Sequence, residues 1–244
     1  MATPTLRERR RAAATQEILD AAERQIAESG PAALSLRAVA RDLGMTVQAL
    51  YHYFPNRDAL VTVLITRAYD DLADAVQAAV AVPPAQRAPG DADMPRLVIA
   101  AEGYRRWAIA NPERFHLLYG TPLRGYAAPV DGPTTQATRR MSAVFERELF
   151  GDLTDGQLAA IEVPLLSPGF RAFLDGLPYY GSGRLPAPAT ALLMSAWGQL
   201  HGLVVLEVFG HTGFLGEHQA EVFRMSMLKL LEDVRGRTNT AQGR

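Results

Sequence analysis

The sequence predicts an all-α protein, and three observations predict it. Two short amphipathic segments meet at a glycine within residues 35–54. Apolar residues recur at steps of three and four through most of the chain, and capping residues, glycines and prolines stand at the ends of those stretches. The expected order is a three-helix N-terminal unit, a long connecting helix and a larger helical body.

Residues 1–11 carry Arg7, Arg9, Arg10 and Arg11 against a single Glu8, a basic arm suited to a sugar-phosphate backbone or a minor groove. A first helix is expected from about residue 9 to 29, with Ala14, Ile18, Ala21, Ala22 and Ile26 on one face and Gly30-Pro31 as its stop. Ser35 is placed to cap the next helix, whose stripe is Leu36, Val39, Ala40 and Leu43. Gly44 follows where a left-handed residue ends a helix, and Thr46 can cap a new one carrying Val47, Leu50, Tyr51 and Phe54 inward. Ala40 is small and faces inward, so the pair can approach closely at an angle, which is a helix-turn-helix. In that motif the second helix enters the major groove of DNA. Thr46, Gln48, His52 and Tyr53 point outward on it, and Tyr51 is long enough to reach a phosphate.

Pro55 ends this helix and Asn56 can cap the fourth. Arg57 lies in its first turn, where a cation opposes the helix dipole, so a phosphate partner is expected for it. The fourth helix continues through Leu60, Leu64, Ala68, Leu72, Val76 and Ala79. At roughly 24 residues it is ~36 Å long, enough to leave a small N-terminal domain.

Residues 9–65, above all LRAVARDLGMTVQALYHYFPNRDALV, resemble the N-terminal domain of the tetracycline-repressor (TetR) family of bacterial transcriptional regulators. The family usually has lysine where this chain has Arg57. The resemblance implies base or backbone contacts from Thr46, Val47, Gln48, Tyr51 and His52, and phosphate contacts from Arg37, Tyr53 and Arg57. The arm adds Arg9, Arg10 and Arg11. The partner is then double-stranded DNA carrying an inverted-repeat operator.

Further along, residues 81–95 read as a proline-rich loop and 94–110 as a helix with Leu97, Ala101, Tyr104 and Ala108 inward and Trp107 close by. Asn111-Pro112-Glu113 opens another helix, which Gly120 closes. After a loop over 121–133, Ala137, Met141, Val144, Phe145, Glu148 and Leu149 mark a helix ending at Gly151. Thr154 and Gln157 form a capping box for a helix through Val163, and Ser167-Pro168 starts a short helix holding Phe170, Phe173 and Leu174. A Gly- and Pro-rich connection over 177–188 leads to two long helices near 189–209 and 215–235. The domains are therefore expected at 1–67 for DNA binding and 68–236 for effector binding and dimerisation, with a disordered tail at 237–244.

The penultimate helix is apolar on more than one face and must be covered twice. Two helices from each of two subunits would make a four-helix bundle, with Ala196, Leu203, Val205, Phe209, Val222, Met225 and Leu228 at the contact. The family is typically homodimeric through its last two helices, and Trp197, His201 and Gly202 resemble the W-H-G element of one C-terminal subfamily. Family members commonly bind a small-molecule effector in the body. Aromatic and polar residues that could line such a pocket are Tyr104, Trp107, Phe115, His116, Tyr119, Phe145, Phe170, Phe173, Trp197 and His201.

A net charge of −1 confines any nucleic-acid affinity to a local patch, and Lys229 is the only lysine among 25 basic residues. With no cysteine, disulfides and thiolate chemistry are excluded. No apolar run approaches 18 residues and no signal peptide precedes the arginines, so a cytoplasmic protein without a membrane partner is expected. Five histidines, including His211 and His218 beside Glu217, could serve a base or metal. Yet no HExxH, GxSxG, GxGxxG or P-loop is present, and Gly181-Ser182-Gly183 lacks an elbow's flanking pattern. No catalytic residue, metal or cofactor is assigned. The reading is a ligand-responsive regulator, a repressor, in which effector binding moves the fourth helix and changes the separation of two DNA-binding heads. An α-helical small-molecule enzyme or a structural adaptor are the alternatives, and both predict no sequence-specific band in a gel shift.

Overall fold

Thr5 starts the first helix. In the computed structural model, which describes residues 5–164, 166–177 and 183–239, the Thr5 hydroxyl accepts from the Glu8 amide and the Glu8 carboxylate accepts from the Thr5 amide at 2.7 Å. This reciprocal cap opens α1 (Leu6–Ser29). The basic stretch expected as an arm is thus helical from Leu6, and Arg7, Arg9, Arg10 and Arg11 are exposed positions of a helix. Residues 1–4 of the expected arm lie outside the described residues.

The chain continues as α2 (Leu36–Asp42), α3 (Val47–Tyr51), α4 (Arg57–Ala81), α5 (Arg96–Ala110), α6 (Pro112–Tyr119) and α7 (Pro133–Phe150). It closes with α8 (Asp155–Ala159), α9 (Pro168–Gly176), α10 (Ala187–Val208) and α11 (Gln219–Asn239). Short 3-10 segments lie at Pro31–Ala33, Pro84–Gln86 and Gly213–His218. Among the described residues there is no strand, so the all-α expectation holds.

Several helix ends differ from the sequence reading. Ser35 occupies the cap position of α2 without a capping bond from its hydroxyl. Gln25 of α1 takes over, accepting from the Ser35 amide and donating to the Ala33 carbonyl, each at 3.2 Å. Asn111 likewise sits before α6 without a side-chain cap, whereas Asn56 does cap α4, accepting from the Ala59 amide at 2.8 Å. The capping box of Thr154 and Gln157 forms, but α8 ends at Ala159, well short of Val163. α11 runs through the start of the expected tail as far as Asn239, with the buried Thr238 donating to the Arg235 carbonyl at 3.1 Å. Residues 240–244 of that tail, and Gly181 and Ser182, lie outside the described residues.

The chain divides into two compact units. One comprises residues up to Tyr69 together with Asn111–Ala137; the other comprises Asp70–Ala110 and the chain from Thr138 onward. The first has a core of Ile18, Ala22 and Ile26 from α1, Val39 and Ala40 from α2, Leu50 from α3, Phe54, and Leu60 and Leu64 from α4. Leu117 of α6 is buried in the same cluster, Leu123 and Tyr126 pack against it, and the Tyr126 and Thr62 hydroxyls are 3.1 Å apart. The sequence reading gave 111–137 to the second domain. It belongs instead with the first, where α6 packs on α1 and on the turn at Pro31–Ala33, and Tyr126 meets Thr62 of α4.

In the second unit α5 is central, with Leu97, Ala101, Tyr104 and Ala108 buried as expected. A Cβ at Gly103 would stand 2.9 Å from the Ala79 Cβ, so α4 and α5 touch where the side chain is missing. Two ion pairs fix the last helices to α5. Arg105 forks onto Glu207 of α10, with Nε at 2.6 Å, and Arg224 of α11 reaches Glu102 at 2.6 Å and Asp91 at 3.0 Å. α10 contains an 18-residue window of mean hydropathy 1.4, long and apolar enough to cross a membrane, and a third of that window is buried. The sequence reading saw no such stretch because Gln199, His201 and Glu207 interrupt it. Those bonds to α5 account for its packed side; its open side is described below.

Candidate nucleic-acid interface

The turn between α2 and α3 is built by backbone chemistry. Gly44 has φ +63°, its amide donates to the Arg41 carbonyl at 3.2 Å, and the Met45 amide donates to the Ala40 carbonyl at 2.8 Å. These are the paired bonds of a Schellman ending, which needs a left-handed residue at Gly44. One residue after Met45, the Thr46 hydroxyl accepts from the Ala49 amide at 3.1 Å and α3 begins. α3 is shorter than expected, stopping at Tyr51 where a stripe to Phe54 was anticipated. The Tyr53 and Phe54 amides both donate to the Leu50 carbonyl, at 2.9 and 3.0 Å, closing the helix ahead of Pro55.

Leu50 and Phe54 face the core, which fixes the rotation of α3. Thr46, Gln48, Tyr51 and His52 are consequently exposed, and Val47 and Tyr53 half-buried. Arg37 is exposed on α2. The Arg11 Nη2 donates to the His52 carbonyl at 3.1 Å, and its guanidinium lies 5.4 Å from the Tyr53 ring centroid. Leu6, Arg7, Arg10, Arg11 and Tyr53 border one cleft beside α3. Arg9 is exposed on the same helix but is not among the cleft residues. Arg57 is half-buried and its Nε donates to the Leu34 carbonyl at 3.1 Å. Sequence reasoning missed this tie between α4 and the entry to α2, as it missed the one from Arg11, because both partners are backbone carbonyls distant in sequence.

The ten residues expected to line an effector pocket fall into separate groups. Phe115, His116 and Tyr119 belong to the first unit, where Tyr119 packs against Phe115 at 5.1 Å and edge-on against Tyr69 at 5.8 Å. In the second unit Tyr104, Phe145, Trp197 and His201 cluster, with Trp197 stacked on His201 at 5.1 Å and the Tyr104 hydroxyl 2.8 Å from the His201 Nδ1. Burial pushes His201 below the ordinary histidine range, so a neutral ring with Nδ1 accepting from Tyr104 fits. Trp107 is buried on α5. Phe170 and Phe173, 47% and 60% exposed, stack on each other on α9 at 6.4 Å.

On the last two helices Ala196, expected at a subunit contact, is buried within its own chain, because it sits on the inner side of α10. Leu203, Val205, Val222 and Leu228 are half-buried. Phe209 and Met225 are exposed, at 43% and 49%. The sequence reading passed over Met194 and Leu206, also exposed apolar residues. Between them Gly198 and Gly202 have open space where a Cβ would stand. Met194, Gly198, Gly202 and Leu206 recur every fourth residue, a spacing the sequence already contained.

Residues 18–64 match the family model described as bacterial regulatory proteins, tetR family, and residues 97–230, over half of the chain, match tetracyclin repressor-like, C-terminal domain. The HTH-type transcriptional regulator Rv1816 of Mycobacterium tuberculosis is 36% identical over 199 residues, 81% of each chain. Among solved structures, the candidate regulatory protein SCO4313 is 34% identical with a TM-score of 0.70, covering 94% of this chain and 100% of that one. A tetR-family transcriptional regulator from Streptomyces coelicolor, 18% identical, shares the fold with a TM-score of 0.55 over 100% of this chain and 90% of its own. Since the first model covers the capped α3 and the second the body built round α5, the chain belongs to the tetracycline-repressor family and is a DNA-binding transcriptional regulator, not an enzyme.

Proposed function

We propose that the protein is a repressor that binds an inverted-repeat operator as a homodimer and is released by a small-molecule effector. The observation that carries this reading is the outward face of α3, with Gln48, Tyr51 and His52 exposed beside the cleft bordered by Arg7, Arg10 and Arg11. Gln48 has the donor and acceptor to read an adenine edge, and Val47 the apolar surface for a thymine methyl. Thr46, Tyr51, His52, Arg9, Arg10 and Arg37 reach base edges or phosphates around them. Arg11 holds the end of α3 against Tyr53 and also adds positive charge. In a dimer two copies of α3 would meet successive major grooves ~34–36 Å apart.

Dimerisation is assigned to the exposed stripe of α10 with Val222, Met225 and Leu228 of α11. The effector is assigned to the cluster of Tyr104, Phe145, Trp197 and His201. To take an operator from 99% occupied to 99% free, it must favour the non-binding state by about 5.5 kcal/mol. A transcription regulator of this kind works in the cytoplasm.

Selection from a random duplex library is the direct test. The recovered sequences are expected to share an inverted repeat, and Gln48→Ala to relax preference at one symmetric position by about 1–3 kcal/mol. Recovery of no common sequence would remove the operator from the account. For Arg57→Ala, binding is expected to weaken on every sequence and the salt slope to flatten by about one unit if its free amino groups contact phosphate. Weaker binding at an unchanged slope would mean that Arg57 serves only to hold Leu34.

A further inference from the structure

The body carries a second positively charged cleft, remote in sequence from α3. It has a volume of about 440 Å³ and lies where the start of α5, the end of α7 and the end of α11 converge. Its floor includes the buried Leu97 and Leu231, and three arginines line it, Arg96, Arg147 and Arg235, against Glu148 and Asp152. That is a local excess of one positive charge in a chain whose net charge is −1.

Glu148 organises two of the guanidinium groups. Its side chain is only 5% exposed, and its carboxylate accepts from Arg96 Nε and Nη2 at 2.9 and 3.2 Å and from Arg147 Nε and Nη2 at 3.1 and 3.0 Å. One carboxylate therefore sets two planar forks, and each keeps its Nη1 donors for another partner. Arg235 is exposed, and among the described residues its guanidinium makes no hydrogen bond or ion pair, although its carbonyl accepts from Thr238. The first intrahelical bond of α5 runs from the Ile99 amide to the Pro95 carbonyl at 3.1 Å. The amides of Arg96 and Leu97 thus precede the hydrogen-bonded ladder, and no acidic side chain occupies the first turn.

We infer that this cleft binds a small molecule through an oxyanion, a phosphoryl or carboxylate group held between Arg96, Arg147 and Arg235. Donors from three helices converge there, and Glu148 already orients two of them, Arg96 and Arg147, so less rotamer entropy remains to be lost on binding. A lone structural ion pair would need one arginine on Glu148; here two share it and a third stands beside them. The site is independent of the aromatic cluster on Tyr104 and of the DNA-binding reading.

Inorganic phosphate titrated into the full chain, with ionic strength held constant by sodium chloride, tests the phosphoryl arm; acetate tests the carboxylate arm. Saturable heat is expected from at least one, with a matching saturable rise in the melting temperature. Arg235→Gln removes a guanidinium without a partner and leaves the fold intact. It is expected to weaken binding about tenfold, the loss of one charge-assisted hydrogen bond. Arg171→Gln, an equal charge change on the exposed face of α9, is expected to leave binding unchanged. No saturation with either anion, unchanged affinity in Arg235→Gln, or equal weakening in both variants overturns the site.

Discussion

A Leu206→Asp, Met225→Asp variant is expected to elute as a monomer in size-exclusion chromatography and to bind an inverted-repeat duplex about 10²–10⁴-fold more weakly than the parent chain. Both side chains are large, apolar and nearly half exposed in the single chain, on adjacent helices. The packing within one subunit loses little, while two carboxylates per chain enter the proposed subunit contact, where a desolvated charge without a partner is costly. The loss in DNA binding follows from geometry. In a dimer, engaging one half-site raises the local concentration of the second head near the other half-site, and a monomer forfeits that gain without changing any residue of α3. Circular dichroism checks that the helices survive. A monomeric variant that still bound the duplex as tightly as the parent would separate DNA recognition from self-association.

Glu207→Ala is expected to be the most destabilising single change in the body, by about 3–5 kcal/mol. The Arg105 and Glu207 side chains are 13% and 9% exposed, and Arg105 lies 5.7 Å from the Phe223 ring centroid, so the guanidinium would stay buried without its carboxylate. Replacing both partners, as Arg105→Met with Glu207→Leu, is expected to recover most of the loss, because the charge left behind is what costs. Urea unfolding followed by helical circular dichroism measures all three proteins under the same conditions. If the single and the double variant were equally weakened, packing rather than charge would account for the effect.

What the sequence made legible was local. Gly44 and Thr46 each solve a problem within a few residues of themselves, one ending a helix and the other starting the next, and both occupy the expected positions. The inward face of α5 was equally plain, because Leu97, Ala101, Tyr104 and Ala108 follow helical spacing. Contacts between distant segments left no such trace. Nothing near Arg57 indicates that the Leu34 carbonyl awaits it, and nothing near Phe115 indicates that α6 packs with α1 instead of α5. The residues expected to line a pocket are divided between the two units for the same reason. Aromatic residues mark burial without saying which core receives them, so Phe115 and Tyr104 were joined by composition alone.

The segment 111–137 has a practical consequence. A fragment ending at Tyr69 would contain every side chain proposed to touch DNA, yet it would lack Leu117, Leu123 and Tyr126 and leave their seat on α1 and α4 bare. Swapping recognition heads between relatives by a single splice inside α4 would create mismatched halves of one core. A working chimera must exchange two stretches that the chain keeps some forty residues apart.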